Sequence, residues 1–140
     1  MRLFGTNGIR EVVGTSLTPG FALRVARGIA ATLPSGSRVA LAWDGRTSSP
    51  ALARLVGATL ALCGHRVLEL GLLATPAFQY NVPRSGAQLG VMITASHNPR
   101  EFNGIKCIAP DGLEIPRSWE EAIEEAVTHL PSTTPGFDGI

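Results

Sequence analysis

The 140-residue sequence has almost no charge of one sign in excess, with twelve Lys plus Arg against eleven Asp plus Glu and a formal net charge of +1. That balance removes the electrostatic argument for a nucleic-acid partner or an anionic membrane surface. Cysteine is scarce. Cys63 and Cys107 form no CxxC pair and no metal-ligand spacing, so both are expected to be small buried hydrophobes, with no disulfide framework. Aspartate occurs only at positions 44, 111 and 138, unclustered. No apolar run approaches the ~18 residues of a spanning helix, and Met1-Arg2-Leu3-Phe4-Gly5 lacks the apolar stretch of a signal peptide. The expectation is a soluble, cytoplasmic protein. No internal repeat is evident, and no GxSxG elbow is present, which sets aside a hydrolase triad.

What is present suits one domain: 44% of residues are hydrophobic, enough at this length for a core without staples. Thr18-Pro19 opens a helical pattern running through Phe21, Val25, Ile29 and Leu33, with Thr18 as cap. Val39 to Trp43 is a short apolar run closed by Asp44-Gly45 and reads as a buried strand. Ser49-Pro50 repeats the cap-plus-Pro device for a helix to about Leu62, with Ser49 as the cap. Val67 to Leu70, Leu89 to Thr94 and Gly104 to Ala109 read as further strands, and Thr75-Pro76 starts another helix. Ser118 and Glu121 resemble a capping box for a last helix to about His129, whose Glu120, Glu121, Glu124 and Glu125 are expected on a solvated face. Strands alternating with helices predict a three-layer α/β/α sandwich with a mixed, mainly parallel sheet of about four core strands. Residues 1–130 are the expected domain, and residues 131–140 have linker composition.

In such sheets ligands bind beyond the carboxyl ends of the strands, where Val91–Thr94 delivers Ala95-Ser96-His97-Asn98-Pro99. A hydroxyl, an imidazole and an amide stand in a row there, followed by Asn103-Gly104-Ile105-Lys106. Lys106 is the only lysine among twelve Lys plus Arg. Lysine can give up a proton when desolvated, whereas arginine essentially cannot, so one lysine near a candidate nucleophile has chemical meaning. Taken singly, Ser96 and His97 read as turn residues and Lys106 as ordinary surface; the combination carries the inference. His65 and His129 have no such neighbours and read as structural or solvent-facing.

Thr94-Ala95-Ser96-His97-Asn98-Pro99 with Asn103-Gly104-Ile105-Lys106 resembles the active-site loop of the α-D-phosphohexomutase superfamily. Phe4-Gly5-Thr6-Asn7-Gly8-Ile9-Arg10 resembles that family's opening FGTxGxR segment, and Asp44-Gly45-Arg46-Thr47-Ser48-Ser49-Pro50 its DxRxSS segment. Glu11 stands where the family often has glycine. The resemblance covers the whole chain but only the first of the family's four domains. It implies interconversion of hexose 1-phosphate and 6-phosphate through a phosphoserine enzyme and a hexose 1,6-bisphosphate. Phosphomannomutase, phosphoglucomutase and phosphoglucosamine mutase are the subfamily options.

By that resemblance Ser96 is the phosphoserine, Lys106 the general acid or base, and Arg10 a fixed charge on the transferring group. His97 supports proton transfer or binds phosphate, and Asn98 joins Arg10 and Lys106 in substrate binding. Asp44, Arg46, Ser48 and Ser49 read instead as structural, with Asp44 and Arg46 pairing to fix their turn. The implied Mg²⁺ would be held by an oxygen of the Ser96 phosphate and by three aspartates of a domain absent here. The chain is accordingly expected to carry the nucleophile without turnover and to need the absent domains, whose removal leaves an apolar patch that favours self-association. The competing reading is a noncatalytic module that binds phosphosugars or a protein partner and keeps the loop as an inherited feature.

Overall fold

The computed structural model describes residues 2–6 and 8–130. Asn7 of the opening segment and the expected linker lie outside the described residues. Nine elements follow in order: β1 (Ile9–Val12), α1 (Pro19–Ala31), β2 (Arg38–Trp43), α2 (Ser49–Leu62), β3 (Arg66–Leu72), α3 (Thr75–Arg84), β4 (Leu89–Ile93), β5 (Phe102–Ile108) and α4 (Arg117–Thr128). The five strands form one sheet in the order β1-β5-β4-β2-β3. β2 pairs parallel with β3 and β4, while β5 runs antiparallel to both β4 and β1. Four strands therefore share one direction and β5 alone opposes them. The mixed α/β/α architecture expected from the pattern is present, with one strand more than the four core strands.

The added strand is β1. Its sequence, Ile9-Arg10-Glu11-Val12, is four residues with two charges at the centre, too short and too polar to stand out as a strand. Its place comes from pairing with β5, and that pairing depends on Gly104, opposite Arg10. A Cβ at Gly104 would land on the carbonyl oxygen of Ile9 and within 2.8 Å of that of Thr94. Only glycine lets the two neighbouring backbones close in from both sides.

Side-chain alternation sorts the sheet into two faces. Val39, Leu41, Val91, Ile93, Ile105 and Cys107 point to one, where they pack with Ala22, Val25 and Ile29 of α1, Leu52, Val56 and Leu60 of α2, and Ile123 and Val127 of α4. Ala40, Ala42, Met92 and Ile108 point to the other and meet Phe78 and Val82 of α3. Among the described residues no helix is long and apolar enough to cross a membrane.

Capping follows the sequence in part. Thr18 caps α1, its Oγ1 accepting from the Phe21 amide at 3.1 Å. Ser49 does not cap α2: the cap is Ser48, whose side chain makes no capping bond. Both hydroxyls are engaged by Asn103. The Ser118 capping box also fails to form. Pro116, with φ −69°, occupies the cap, and α4 starts two residues early at Arg117. Arg117 then binds Glu124 at 2.7 Å and Glu120 at 3.3 Å.

The acidic run is not uniformly solvated either. Glu124 is buried and accepts from the backbone amides of Leu3 (2.6 Å) and Phe4 (3.0 Å), fixing the N-terminal segment on α4. Burial pushes its carboxyl up, but the Phe4 and Leu3 amides and Arg117 together hold it below the ordinary carboxylate value. Cys107 is buried as expected, its thiol pushed up to about 12 chiefly by desolvation. Cys63 is exposed, because it falls at the solvent end of α2 and not within the packed face. His65 is buried and structural: Nδ1 accepts from the Ser37 amide at 3.2 Å, while Nε2 lies 3.0 Å from the Ala30 carbonyl.

Candidate active site

The carboxyl ends of β2 and β4 lie side by side, Trp43 level with Ile93, and hand the chain to the two motif loops. Thr94 continues β4 by one rung, its amide bonded to Gly104 O at 3.0 Å. Its Oγ1 accepts from the Ser96 amide at 3.0 Å, a local turn that threonine forms readily. Ser96 then adopts φ +56°, the only positive φ of a non-glycine among the described residues. A left-handed serine is strained by about 1–2 kcal/mol. Such outliers persist where surrounding contacts over-determine them, and they concentrate at functional sites. Ser96 and His97 are both exposed, and Asn98 is half-buried.

Arg10 comes to this loop from β1. Its Nη1 donates to Asn98 Oδ1 at 2.7 Å, joining the opening segment to the Ser96 loop. Its Nη2 is buried and has no partner among the described residues. A buried cationic donor without an acceptor is ready for an anionic oxygen. Gly8 reaches φ +94° just before Arg10, and a Cβ there would sit 2.8 Å from Ile105 O and 3.1 Å from Lys106 Cα. The opening segment thus lies directly over β5.

Lys106 lies opposite Met92, two rungs inside the edge marked by Gly104. Arg10 pairs with Gly104, so Arg10 and Lys106 leave the same face of the sheet, the face that carries α3. The structure does not bring Lys106 into hydrogen-bond contact with the Ser96 loop. Its ammonium forms an ion pair with Glu114 at 2.9 Å, with the lysine side chain 14% and the glutamate side chain 48% exposed.

Two open clefts flank the Arg10–Asn98 bond. One of about 680 Å³ is lined by Asp44, Gly45, Arg46, Thr47, Asn98, Arg100 and Glu101. The other, of about 560 Å³, is lined by Leu3, Gly5, Thr6, Gly8 and Arg10. Among the described residues no group of three or more His, Cys, Asp or Glu side chains comes together to hold a metal.

The Asp44–Pro50 segment reaches further than its own turn. Asp44 pairs with Arg46 at 3.4 Å as expected and also accepts from Ser49 Oγ at 2.6 Å. Arg46 then crosses to the Ser96 loop, donating to the carbonyls of Ser96 (3.0 Å), Asn98 (2.8 Å), Pro99 (2.8 Å) and Phe102 (3.0 Å). Asn103, fully buried, donates to Ser48 Oγ and Ser49 Oγ and accepts from the Gly104 amide. Sequence reasoning missed both roles. Carbonyl acceptors carry no residue-type signature; the available signal was Asn103 and a run of short polar residues beside apolar strands, each needing partners once buried.

A family model described as phosphoglucomutase/phosphomannomutase, alpha/beta/alpha domain I matches residues 1–133. The chain belongs to that family. The phosphoglucosamine mutase of a Synechococcus species is 44% identical over 121 residues, covering 86% of this chain and 26% of that protein. The phosphoglucosamine/phosphogalactosamine mutase of Sulfurisphaera tokodaii is 40% identical over 124 residues, covering 89% and 27%. The crystal structure of a Thermus thermophilus protein named after phosphomannomutase superposes with a TM-score of 0.84 at 33% identity, over 89% of this chain and 29% of that one. The chain thus spans about a quarter to a third of the length of its relatives, matching 26% of one and 33% of another.

Proposed function

We propose that this domain carries the nucleophile of a phosphohexomutase acting on a hexosamine phosphate, exchanging its 1- and 6-phosphates through a bisphosphorylated sugar. The substrate class rests on relatives named phosphoglucosamine mutases. The observation that carries the mechanism is Ser96: exposed, left-handed, at the carboxyl edge of the sheet, in a loop whose Asn98 is bonded to Arg10, an arginine with an unpartnered buried nitrogen. The domain spans residues 1–130, and the tail beyond leads to the domains that the relatives' greater length implies.

In the proposed cycle the P–O bond to Ser96 Oγ breaks as a P–O bond forms to a sugar hydroxyl oxygen. The hydroxyl proton passes to a base and from there to Ser96 Oγ. Lys106 is the proposed acid or base, with His97 assisting the proton transfers or binding phosphate. The bisphosphate then reorients, and the reverse exchange at its other end restores phosphoserine. Phosphoryl transfer of this kind demands positioning and charge stabilisation more than covalent chemistry. Arg10 directs Nη2 at the transferring group and steadies Asn98 with Nη1. Mg²⁺, when bound, would draw charge from the phosphate on Ser96, its remaining ligands coming from outside the described residues. Hexose 1,6-bisphosphate is both the intermediate and the means of reloading Ser96.

Ser96→Ala in the full-length gene product tests the reading. Mutase turnover and phosphoenzyme both fall below detection while phosphosugar binding persists. Turnover retained by Ser96→Ala would overturn it, and a wild-type protein that binds phosphosugars without turnover would favour the noncatalytic module.

A further inference from the structure

Arg46 is exceptional in how completely its donors are used. A guanidinium carries five N–H groups in a fixed fork. Nη1 takes Pro99 O and Phe102 O, Nη2 takes Ser96 O and Asn98 O, and Nε faces Asp44 Oδ2. The four Nη hydrogens each have a carbonyl acceptor, Nε is ion-paired with Asp44 at 3.4 Å, and the side chain is only 14% exposed. Four of those acceptors are carbonyls of the single segment Ser96–Phe102, and two of them, Ser96 O and Asn98 O, bracket His97.

The contacts bear directly on the strained residue. Ser96 donates its amide to Thr94 Oγ1 at 3.0 Å, and its carbonyl accepts from Arg46 Nη2 at 3.0 Å. Both polar groups of its backbone are therefore pinned, by a threonine in its own turn and by an arginine from another loop. Arg46 is itself fixed, because Asp44 Oδ1 accepts from the Arg46 amide at 3.1 Å and from Ser49 Oγ at 2.6 Å. Ser49 is buried and also bonded to Asn103. The chain of contacts runs from the root of α2 and the start of β5 to the carbonyl of Ser96.

We infer that Arg46 is a positioning residue for phosphoryl transfer, holding Ser96 in its left-handed conformation and so aiming its hydroxyl at the incoming phosphoryl group. This rests on the mutase reading. Charge-assisted bonds to carbonyls are stronger than neutral ones, and their fork geometry cannot be reproduced by a lysine. Loss of the fork leaves four carbonyls without their donor and lets the loop relax towards ordinary backbone angles. Arg46 does not touch the reacting atoms; it acts through Ser96.

The experiment compares wild type, Arg46→Lys and Arg46→Ala by amide hydrogen exchange and by mutase kinetics of the full-length protein. Exchange is read at the amides of Ser96, Asn98 and Phe102 in the loop, and at those of β2 and β4 as the folding control. The expected result is protection lost about tenfold or more at the loop amides, with β2 and β4 unchanged. Turnover number falls roughly 100-fold, the scale of a small misplacement of a reacting group, while KM stays within about threefold. Added guanidinium ion restores part of the turnover of Arg46→Ala and none of that of Arg46→Lys. Should Arg46→Ala lose protection in β2 and β4 as well, Arg46→Lys, which keeps the charge and the stem, decides the matter. Loop protection unchanged in Arg46→Lys would overturn the inference, as would a slowing that appears wholly in KM. If wild-type protein takes no phosphate on Ser96, the mutase reading fails, and the exchange arm still shows separately whether Arg46 holds the loop.

Discussion

One face of the sheet lies under α1, α2 and α4, and its side chains, from Ile105 and Ile93 to Leu41 and Val39, are wholly buried. The other face is covered by α3, which seats Phe78 and Val82 on Met92 and its neighbours, and the same face presents half-buried Arg10 and Lys106 at its β1–β5 end. The first face holds almost entirely apolar contacts; the second places its charges where a ligand could meet them. Stability and chemistry are thus assigned to opposite sides of the same five strands, with the Ser96 loop at the edge where the two meet. Substitutions on the two sides should differ in kind as well as in size.

The largest loss of stability belongs to the closed face. Ile29→Ala, at a position with no exposed surface, is expected to cost about 2–5 kcal/mol in urea unfolding. A cost under 1 kcal/mol would show that this face is not the one that holds the fold together. Glu124→Gln comes next, at about 1–3 kcal/mol, because the amides of Leu3 and Phe4 lose their charged acceptor. Its pH dependence is distinctive. Glu124 has a lower pKa folded than unfolded, so the unfolded chain takes up the proton first and acid favours unfolding. The wild-type advantage over Glu124→Gln is therefore fully present above the ordinary value of 4.5 and fades as pH falls through the lower, folded value. An advantage that grows with acid would contradict the buried anchor.

On the open face effects shrink. Glu114→Gln, which removes the ion pair with Lys106, should leave stability within about 1 kcal/mol, since the glutamate is half exposed. Unfolding titrations that show a larger loss would make this contact part of the fold. The smallest change has the opposite sign. Ser96→Gly relieves the left-handed strain at φ +56° and is expected to raise stability by about 1 kcal/mol or less while abolishing phosphoryl transfer. Destabilisation by this variant would mean that Ser96 is a structural residue.

The closed face was the more legible of the two in the sequence. Val39–Trp43 and Leu89–Thr94 read as strands because central parallel strands are apolar on both sides, and Thr18-Pro19 announces α1 through its cap. β1 was hidden, since a four-residue segment centred on Arg10 and Glu11 gains its strand character only from the close approach that Gly104 permits. Glu124 looked like its solvated neighbours because nothing local marks a carboxylate whose partners lie 120 residues away in the backbone. At the site, the loop and its Ser96, His97 and Lys106 stood out by resemblance, and Arg10 is found bonded to Asn98. The sequence shows Arg46 only as a partner of Asp44, because its four other partners are main-chain oxygens. Ser49 before Pro50 reads as a cap, but its hydroxyl is bonded to Asp44 and Asn103 instead.

The central claim is that Ser96 is the residue that carries phosphate. The most direct test is a peptide-mapped mass of the full-length gene product before and after incubation with a hexose 1,6-bisphosphate and Mg²⁺. The account predicts the mass of one phosphoryl group on the peptide that contains Ser96, localised to that serine and transferred away when excess hexosamine monophosphate is added. A protein that remains unmodified at Ser96 under these conditions, or that carries phosphate only elsewhere, would contradict it.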